Sequence, residues 1–347
     1  MSDLIPAKPF KSYDDLISLL LSRGMVITDK DRALRKLSQI GYYRLSGYWY
    51  VFRKIAKDAN NKIIPSPLNT NNQRHQSKNS TSNPNIIPMR SDNFLEKTYF
   101  DDIISLYIFD KKLRLIMIDA LERIEIYARS LIAHEMSKFD PLAYKYNQYI
   151  SKIFWDGIHE TKGVLWEKWK SEHEEHLCRS NEDCIKWHRQ MNKQIPFWVA
   201  IETWDFGLLS KYFSYLKHSY QTKIATRIDI NLKAHILVNW LKQLNVLRNR
   251  CAHHTRIWNQ HTGDNTLAIS EIPAMQQIQL SNDARRRQCG LIAVIWFLLH
   301  KINPTSQWFE RLCSLIKTHV SLHPSHASAM GFSDSTLPEL TKIKQIF

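Results

Sequence analysis

The run from Phe94 to Phe139 limits the fold of this chain more than any other part of the sequence. Apolar residues recur along it at the three- and four-residue intervals of an α-helix, with charged residues between them. These apolar positions are Leu106, Ile108, Phe109, Leu113, Ile116, Met117, Ala120, Leu121, Ile124 and Ala128. The pattern predicts either two long helices or one broken helix. Because apolar and polar residues alternate only over short stretches elsewhere, we predict an all-α fold.

Composition divides the chain into four parts. An N-terminal helical module is expected over residues 1–57, where Ser12 and Thr28 are suitable N-caps for two short helices. Residues 58–93 are rich in Asn, Ser, Pro and Thr and have few periodic apolar positions, which predicts a flexible loop. A helical domain should follow over residues 94–323. The tail over residues 324–347 is expected to be loosely ordered.

The balance of charge favours a polyanionic partner. The chain of 347 residues has a formal net charge of +15, and its eleven Trp and fourteen Tyr side chains offer rings on which unpaired bases can stack. A simpler interpretation is that the charge only keeps the protein in solution. Charge alone therefore indicates nucleic acid without identifying it.

Cysteine usage is typical of a reducing cytoplasm, where we expect the protein to reside. The five cysteines are scattered and form no C-x-x-C pair, so neither a disulfide framework nor a zinc ribbon is indicated. The spacing of His173, His176 and Cys178 fits no standard zinc pattern. The most apolar run, residues 290–299, is too short to span a bilayer. We expect no metal, no cofactor and no membrane partner.

Six polar residues that suit phosphate chemistry lie close together in the stretch from Trp240 to Asn259. They are Arg248, Asn249, Arg250, His253, His254 and Arg256. No Asp or Glu occurs between Asp229 and Asp264. Arginine binds phosphate oxygens through a planar fork, whereas histidine titrates near neutrality and can move a proton. This pair of groups suffices to cleave RNA through its own 2′-hydroxyl, without the nearby carboxylates that a Mg²⁺ site needs.

Helical geometry assigns these residues to different faces. If the helix continues as far as residue 256, then Asn249, His253 and Arg256 share one polar face. His254 then lies at the edge of the core face. Around the helix axis, Arg248 lies about 140° from His253. Both side chains therefore reach one ligand only if the Arg248 side chain bends or faces a second copy of the helix. The spacing therefore favours a two-fold assembly. Helical His and Arg are nevertheless more often found on an ordinary solvated face.

The pattern Arg-Asn-x-x-Ala-His-His-x-Arg-x-Trp-Asn over residues 248–259 resembles the signature of abortive-infection proteins of the AbiD/AbiF type, in the HEPN superfamily. Three other segments resemble the same family, namely residues 40–49, residues 109–114 together with 121–125, and residues 196–207. The resemblance implies a HEPN-like helical domain over residues 94–323 and a homodimeric, metal-independent endoribonuclease used in defence against phage. It assigns catalysis to Arg248, Asn249 and His253. It also implies association with a small structured non-coding RNA.

Further residues are candidates for supporting roles. Arg250, His254 and Arg256 are expected to add affinity for RNA, although His254 also suits packing. Arg44 lies among the aromatic residues 42–50 and is a candidate clamp for single-stranded RNA, as is the triplet Arg285, Arg286 and Arg287. Solvated faces and core packing are the simpler interpretations. Glu122 is a candidate partner for an active-site arginine, and an ion-paired surface is its alternative.

Three classes of function are consistent with these patterns. The first is the metal-independent endoribonuclease. The second is an RNA-binding module whose HEPN site is silent or only conditionally active. The third is an interaction protein without nucleic acid, which only the helical composition supports.

Overall fold

The computed structural model describes residues 8–66, 88–157, 161–262, 266–269 and 271–347. Within these residues the fold consists of α-helices, short 3-10 turns and one two-stranded sheet, so the predicted all-α class is confirmed. The chain forms two compact units, Met1–Asp110 and Lys111–Phe347. The boundary lies inside a helix and not in the expected loop.

In its described residues, the first unit contains three short helices, the sheet and the beginning of a longer helix. The elements are α1 Tyr13–Ser22, α2 Lys30–Ile40, α3 Tyr42–Trp49, β1 Arg53–Ile55 and β2 Arg90–Phe94. Ser12 caps α1 through the predicted reciprocal hydrogen bonds with Asp15. Thr28 is not the cap of α2, because the Asp29 carboxylate accepts from the backbone N–H of Arg32 at 2.8 Å instead.

Part of the expected loop is a β-ladder. β1 and β2 pair antiparallel, and the isolated bridges Lys57 to Ile63 and Pro65 to Pro88 extend the pairing. The prediction of a flexible loop is therefore wrong for residues 58–66 and 88–93. Paired backbone groups, which composition does not reveal, give these residues their structure. Residues 67–87 lie outside the described part of the chain.

One unbroken helix, α4 Phe100–Ser137, replaces the two helices or broken helix that the periodicity predicts. Its 38 residues include neither Gly nor Pro, so nothing in its sequence interrupts the backbone hydrogen bonds. Its beginning is tied to the first unit, where Val26 donates to the carbonyl of Thr98 and Phe100 donates to the carbonyl of Val26, both at 2.9 Å. The Tyr48 hydroxyl also donates to Oδ2 of Asp110 at 2.6 Å, so contacts of the first unit extend along α4 to the unit boundary.

The described part of the second unit is helical, and the remainder of α4 belongs to it together with the helices that follow. Its helices are α5 Leu165–Arg179, α6 Asp183–Gln190, α7 Phe197–Ala200, α8 Phe206–Tyr215, α9 His218–Ile228, α10 Ala234–Ala252, α11 Pro273–Gln276, α12 Gln288–Ile302, α13 Trp308–Leu322, α14 His326–Ala329 and α15 Pro338–Lys344. Trp240 of α10 packs edge-on against Phe297 of α12, with ring centroids 5.5 Å apart. The indole N–H of Trp308 donates to the carbonyl of Ile116 at 2.7 Å and ties α13 to α4. None of the helices in the described ranges has the length and apolar character that crossing a membrane requires.

The tail, expected to be loosely ordered, forms α14 and α15. Phe332, Leu340 and Ile343 are each at most 3% exposed, and the Phe347 ring stacks on His300 with centroids 3.9 Å apart. Burial of these apolar side chains offsets the loss of chain entropy on folding. Composition alone suggested that this loss would leave the tail loosely ordered. The expectation for residues 324–347 is therefore wrong.

Truncating Ile343 should destabilise the protein, because its side chain is fully buried. We expect Ile343→Ala to lower the free energy of unfolding by about 2–5 kcal/mol, as large-to-small core substitutions do. The exposed neighbour Lys342 provides the control, and Lys342→Ala should be near wild type. Urea denaturation followed by circular dichroism measures both. Equal stability of the two variants would contradict the docking of the tail.

Candidate active site

Helix α10 ends one residue before His253, and the chain turns sharply there. His254 adopts the left-handed conformation, with φ of 57°. The backbone N–H of Thr255 donates to the carbonyl of Arg250 at 2.8 Å, and that of His254 donates to the carbonyl of Cys251 at 3.2 Å. These two bonds form a Schellman motif, which closes a helix and satisfies its last carbonyls. His253 is thus the exposed C-cap residue of α10.

This turn corrects the expected assignment of faces. A polar stripe of Asn249, His253 and Arg256 requires a helix that continues through Arg256, and the helix stops before that residue. His254 is exposed, so it does not pack at the edge of the core face. Helical periodicity misses the change because His is an unusual residue for the left-handed position, where Gly is the ordinary signal.

Arg248 contacts a carboxylate from another helix. Its Nε lies 3.5 Å from Oε2 of Glu125 on α4. The other oxygen of Glu125 is 2.5 Å from Nη2 of Arg129, one turn further along α4. Arg129 also donates to the backbone carbonyl of Trp204, which immediately precedes the cap of α8. One carboxylate thus connects two arginines and three segments of the second unit.

The Glu125 carboxylate is almost completely removed from solvent, with 8% of its side chain exposed. Burial raises its pKa, while the positive charges of Arg129 and Arg248 partly oppose that shift. Asp205 contributes in the same direction as burial, because its negative charge is nearby. Because a buried charge is tolerated only with opposite charges close by, the carboxylate requires its two arginine partners.

The N-terminus of α8 approaches α10 closely beside this network. Asp205 caps α8 by accepting from the backbone N–H of Leu208 at 2.7 Å. A Cβ on Gly207 would lie 3.1 Å from Oδ1 of Asp205 and 3.6 Å from Nδ2 of Asn245 on α10. The glycine thus leaves room for the Asp205 cap within the first turn of α8.

Asn249 supports Arg248 from the same helix. Its Oδ1 accepts from Nη1 of Arg248 at 3.2 Å, so the guanidinium has a neutral acceptor on one side and Glu125 on the other. Arg248 and Asn249 are partly exposed, and His253 lies at the exposed end of the helix. The arrangement presents a positioned arginine and a histidine from the last turns of α10.

The structure places a different carboxylate beside Arg248 from the one that the sequence favoured. Glu122, the candidate partner for an active-site arginine, is exposed, and the structure assigns that contact to Glu125. Residues 230–263 contain no carboxylate side chain. The site obtains its carboxylates from Glu125 and Asp205, which are distant in sequence. In the described part of the chain, no three His, Cys, Asp or Glu side chains gather as a metal site would require.

Several arginines proposed to bind RNA have partners within the fold. Arg250 donates to the carbonyl of His261 at 2.8 Å, and burial lowers its pKa. The side chain of Arg285 donates to Asn282, that of Arg286 donates to the hydroxyl of Thr266, and that of Arg287 donates to Asp283, Asn259 and the carbonyl of Ala329.

The structure therefore gives the triplet a role in the fold. Arg285 and Arg286 belong to a 3-10 turn that precedes α12. Arg256 follows the turn at the end of α10, and Arg44 lies exposed on α3 in the first unit. Of the active-site candidates, Arg248 and Asn249 are in contact, whereas His253 lies at the end of the same helix.

Sequence reasoning missed Arg129 as a member of this site. Its contact with the Trp204 carbonyl depends on tertiary structure. The spacing of Glu125 and Arg129, four residues apart on one helix, was the available signal. Fold and site together define an all-α protein with an arginine and carboxylate network beside a histidine at a helix end.

Comparison with known families identifies this class of protein. The model of the family described as Abi-like protein matches residues 35–259, which is 225 of the 347 residues. The chain therefore belongs to the Abi-like family of abortive-infection proteins, and the predicted family membership is confirmed at this level. The match contains all four segments that carried the resemblance and ends at Asn259. Searches of the curated proteins and of the solved structures return no match.

Removing Glu125 should destabilise the second unit, because Arg129 and Arg248 would lose their shared counter-charge. We expect Glu125→Ala to cost about 3 kcal/mol, the lower end of the range for breaking a buried ion pair. Glu122→Ala on the same helix is the matched control and should change stability by no more than about 0.5 kcal/mol. Thermal and urea denaturation would distinguish the two carboxylates. An equal effect of both substitutions would rule out Glu125 as the buried partner.

Proposed function

We propose that this protein is a metal-independent endoribonuclease of the HEPN type, acting in abortive-infection defence. The observation that carries this proposal is the contact of Arg248 with the buried carboxylate of Glu125, five residues before an exposed histidine. An arginine fixed in this way resembles a preorganised phosphate clamp, since its orientation is set before the ligand arrives.

The reaction follows from the chemistry of these groups. His253 removes the proton from a ribose 2′-hydroxyl, and the 2′-oxygen forms a bond to the adjacent phosphorus. The bond from phosphorus to the 5′-oxygen breaks, and the leaving oxygen takes up a proton from water. Arg248 stabilises the additional negative charge on the phosphate. The products carry a 2′,3′-cyclic phosphate and a 5′-hydroxyl, and DNA is not a substrate because it lacks the nucleophile.

Asn249 and Glu125 act as positioning residues in this mechanism. Both contact the guanidinium of Arg248 and neither needs to touch the substrate. The resemblance assigns Asn249 to catalysis, and we propose that it acts there by holding Arg248 in position.

The assembly we propose is a homodimer that pairs two α10 helices. Along a helix, five residues turn about 500°, so Arg248 and His253 diverge by about 140°. A second copy of the chain related by two-fold symmetry would bring Arg248 of one copy towards His253 of the other. Each composite site would then contain one group for charge and one for proton transfer.

A second candidate function is an RNA-binding protein whose site is silent until it is activated. The observation in its favour is that Arg248 already has two partners, Glu125 and Asn249. A phosphate must compete with that carboxylate for the guanidinium. A bound structured non-coding RNA, held by a chain of net charge +15, fits such a resting state.

His253→Ala tests the chemistry. Loss of a general acid or base typically reduces the rate by about 10²–10⁴-fold. We expect this loss with a labelled RNA in the presence of EDTA, where the wild type should remain active. His235→Ala removes an exposed histidine from the other end of α10 and should cleave normally. Activity that disappears with the chelator, or that survives in His253→Ala, would contradict the proposal.

Mixing two inactive variants tests the composite site. Heterodimers of Arg248→Ala with His253→Ala contain one site that lacks both groups and one that is intact. Random pairing should restore roughly a quarter of the wild-type rate, because half of the dimers are mixed and each has one intact site. No recovery after denaturation and joint refolding, with dimers present by light scattering, would place both groups in one chain.

A further inference from the structure

The first unit contains a cleft of about 940 Å³ that the proposed reaction does not use. Its walls come from residues 8–13, from the exposed side of α3 and from the beginning of the β-ladder. The cleft lies entirely within one compact unit. Its chemistry can therefore be considered separately from that of Arg248.

Four large aromatic rings around this cleft are exposed to solvent. Phe10 is 92% exposed, Tyr43 78%, Tyr13 48% and Tyr50 41%. Tyr43 also packs edge-on against Tyr42, with centroids 5.6 Å apart, which limits its orientations. Rings gathered on one surface without burial are a usual mark of a binding site.

Cationic groups line the same cleft. Arg23 and Arg53 donate to different oxygens of Asp92, at 2.7 Å and 3.1 Å. Lys8 and Lys11 add two more positive charges, so four cations face a single carboxylate. The shared carboxylate holds both guanidinium groups in place and leaves the cleft with an excess of positive charge. An anion with a flat apolar part matches this lining.

We propose that the cleft binds unpaired nucleotides of single-stranded RNA, with bases stacked on the tyrosines and phosphates next to the cations. Stacking requires the face of a base, which a duplex conceals between neighbouring pairs. A negatively charged peptide would satisfy the cations but would leave the exposed rings without flat partners. The inference rests on the proposed function only in taking RNA as the ligand, and it does not require cleavage.

The test uses the full-length protein and a fluorescent single-stranded oligoadenylate with 2′-O-methyl groups, which the proposed reaction cannot cut. We expect Tyr43→Ala to weaken binding about tenfold, since stacking of one base contributes on the order of that factor. Tyr43→Phe keeps the ring and should stay within about twofold of wild type. Tyr146→Ala, which removes a 42% exposed ring from the second unit, should have no effect. Fluorescence anisotropy at low salt measures all four proteins.

Several outcomes would overturn the inference. They are equal binding by wild type and Tyr43→Ala, equally tight binding of the matching duplex, equally tight binding of free adenosine monophosphate, and displacement of the oligonucleotide by an acidic peptide. Failure of the nuclease proposal is a separate result, because it is measured on unmodified RNA. A protein that binds through Tyr43 but does not cleave would retain the cleft and lose the reaction.

Discussion

The buried carboxylate of Glu125 is the constraint on which the arrangement of the second unit depends. A charged group removed from water is tolerated only with opposite charges close by, and here the two charges come from different helices. Arg129 reaches it along α4 and also bonds the Trp204 carbonyl, whereas Arg248 reaches it from α10. The relative positions of α4, α8 and α10 are therefore tied to one oxygen pair. The same contact that fixes the fold also orients the arginine that we assign to phosphate.

Contacts of the fold also fix the conformation at the end of α10. A left-handed residue other than Gly costs about 1 kcal/mol, so His254 stays in that conformation only because surrounding contacts require it. Trp258, a few residues later, is 2% exposed, and the side chain of Asn259 accepts from Arg287 at 2.9 Å. Burial after the turn thus anchors the chain and leaves His253 at an exposed helix end. The arginine triplet contributes to this anchoring, which its charge alone does not suggest.

The fold class, the cap of α1 and the family were predictable from the sequence, because each depends on local patterns. The burial of Glu125 was also predictable from the sequence. It shares a helical stripe with Leu121, Ala128 and Ile132, all buried, whereas Glu122 lies one residue off that stripe. A carboxylate on an apolar stripe indicates a buried ion pair. The contact of Arg129 with Trp204 and the early end of α10 were not predictable, since both depend on segments far apart in sequence or on a residue unusual for its conformation.

Net charge overstates how many arginines of this chain can bind phosphate. Arg250 and Arg287 already donate to carbonyls or side chains of the fold, so releasing them for a ligand would cost those bonds. Arg248 is intermediate, because the Glu125 carboxylate approaches its Nε at 3.5 Å, whereas a phosphate can accept two parallel N–H bonds from one guanidinium. In the function that we propose, RNA at α10 would replace one anion with another around the guanidinium of Arg248. Such an exchange would tie the state of the site to the ligand, because only an anion that competes with the Glu125 carboxylate would gain the guanidinium.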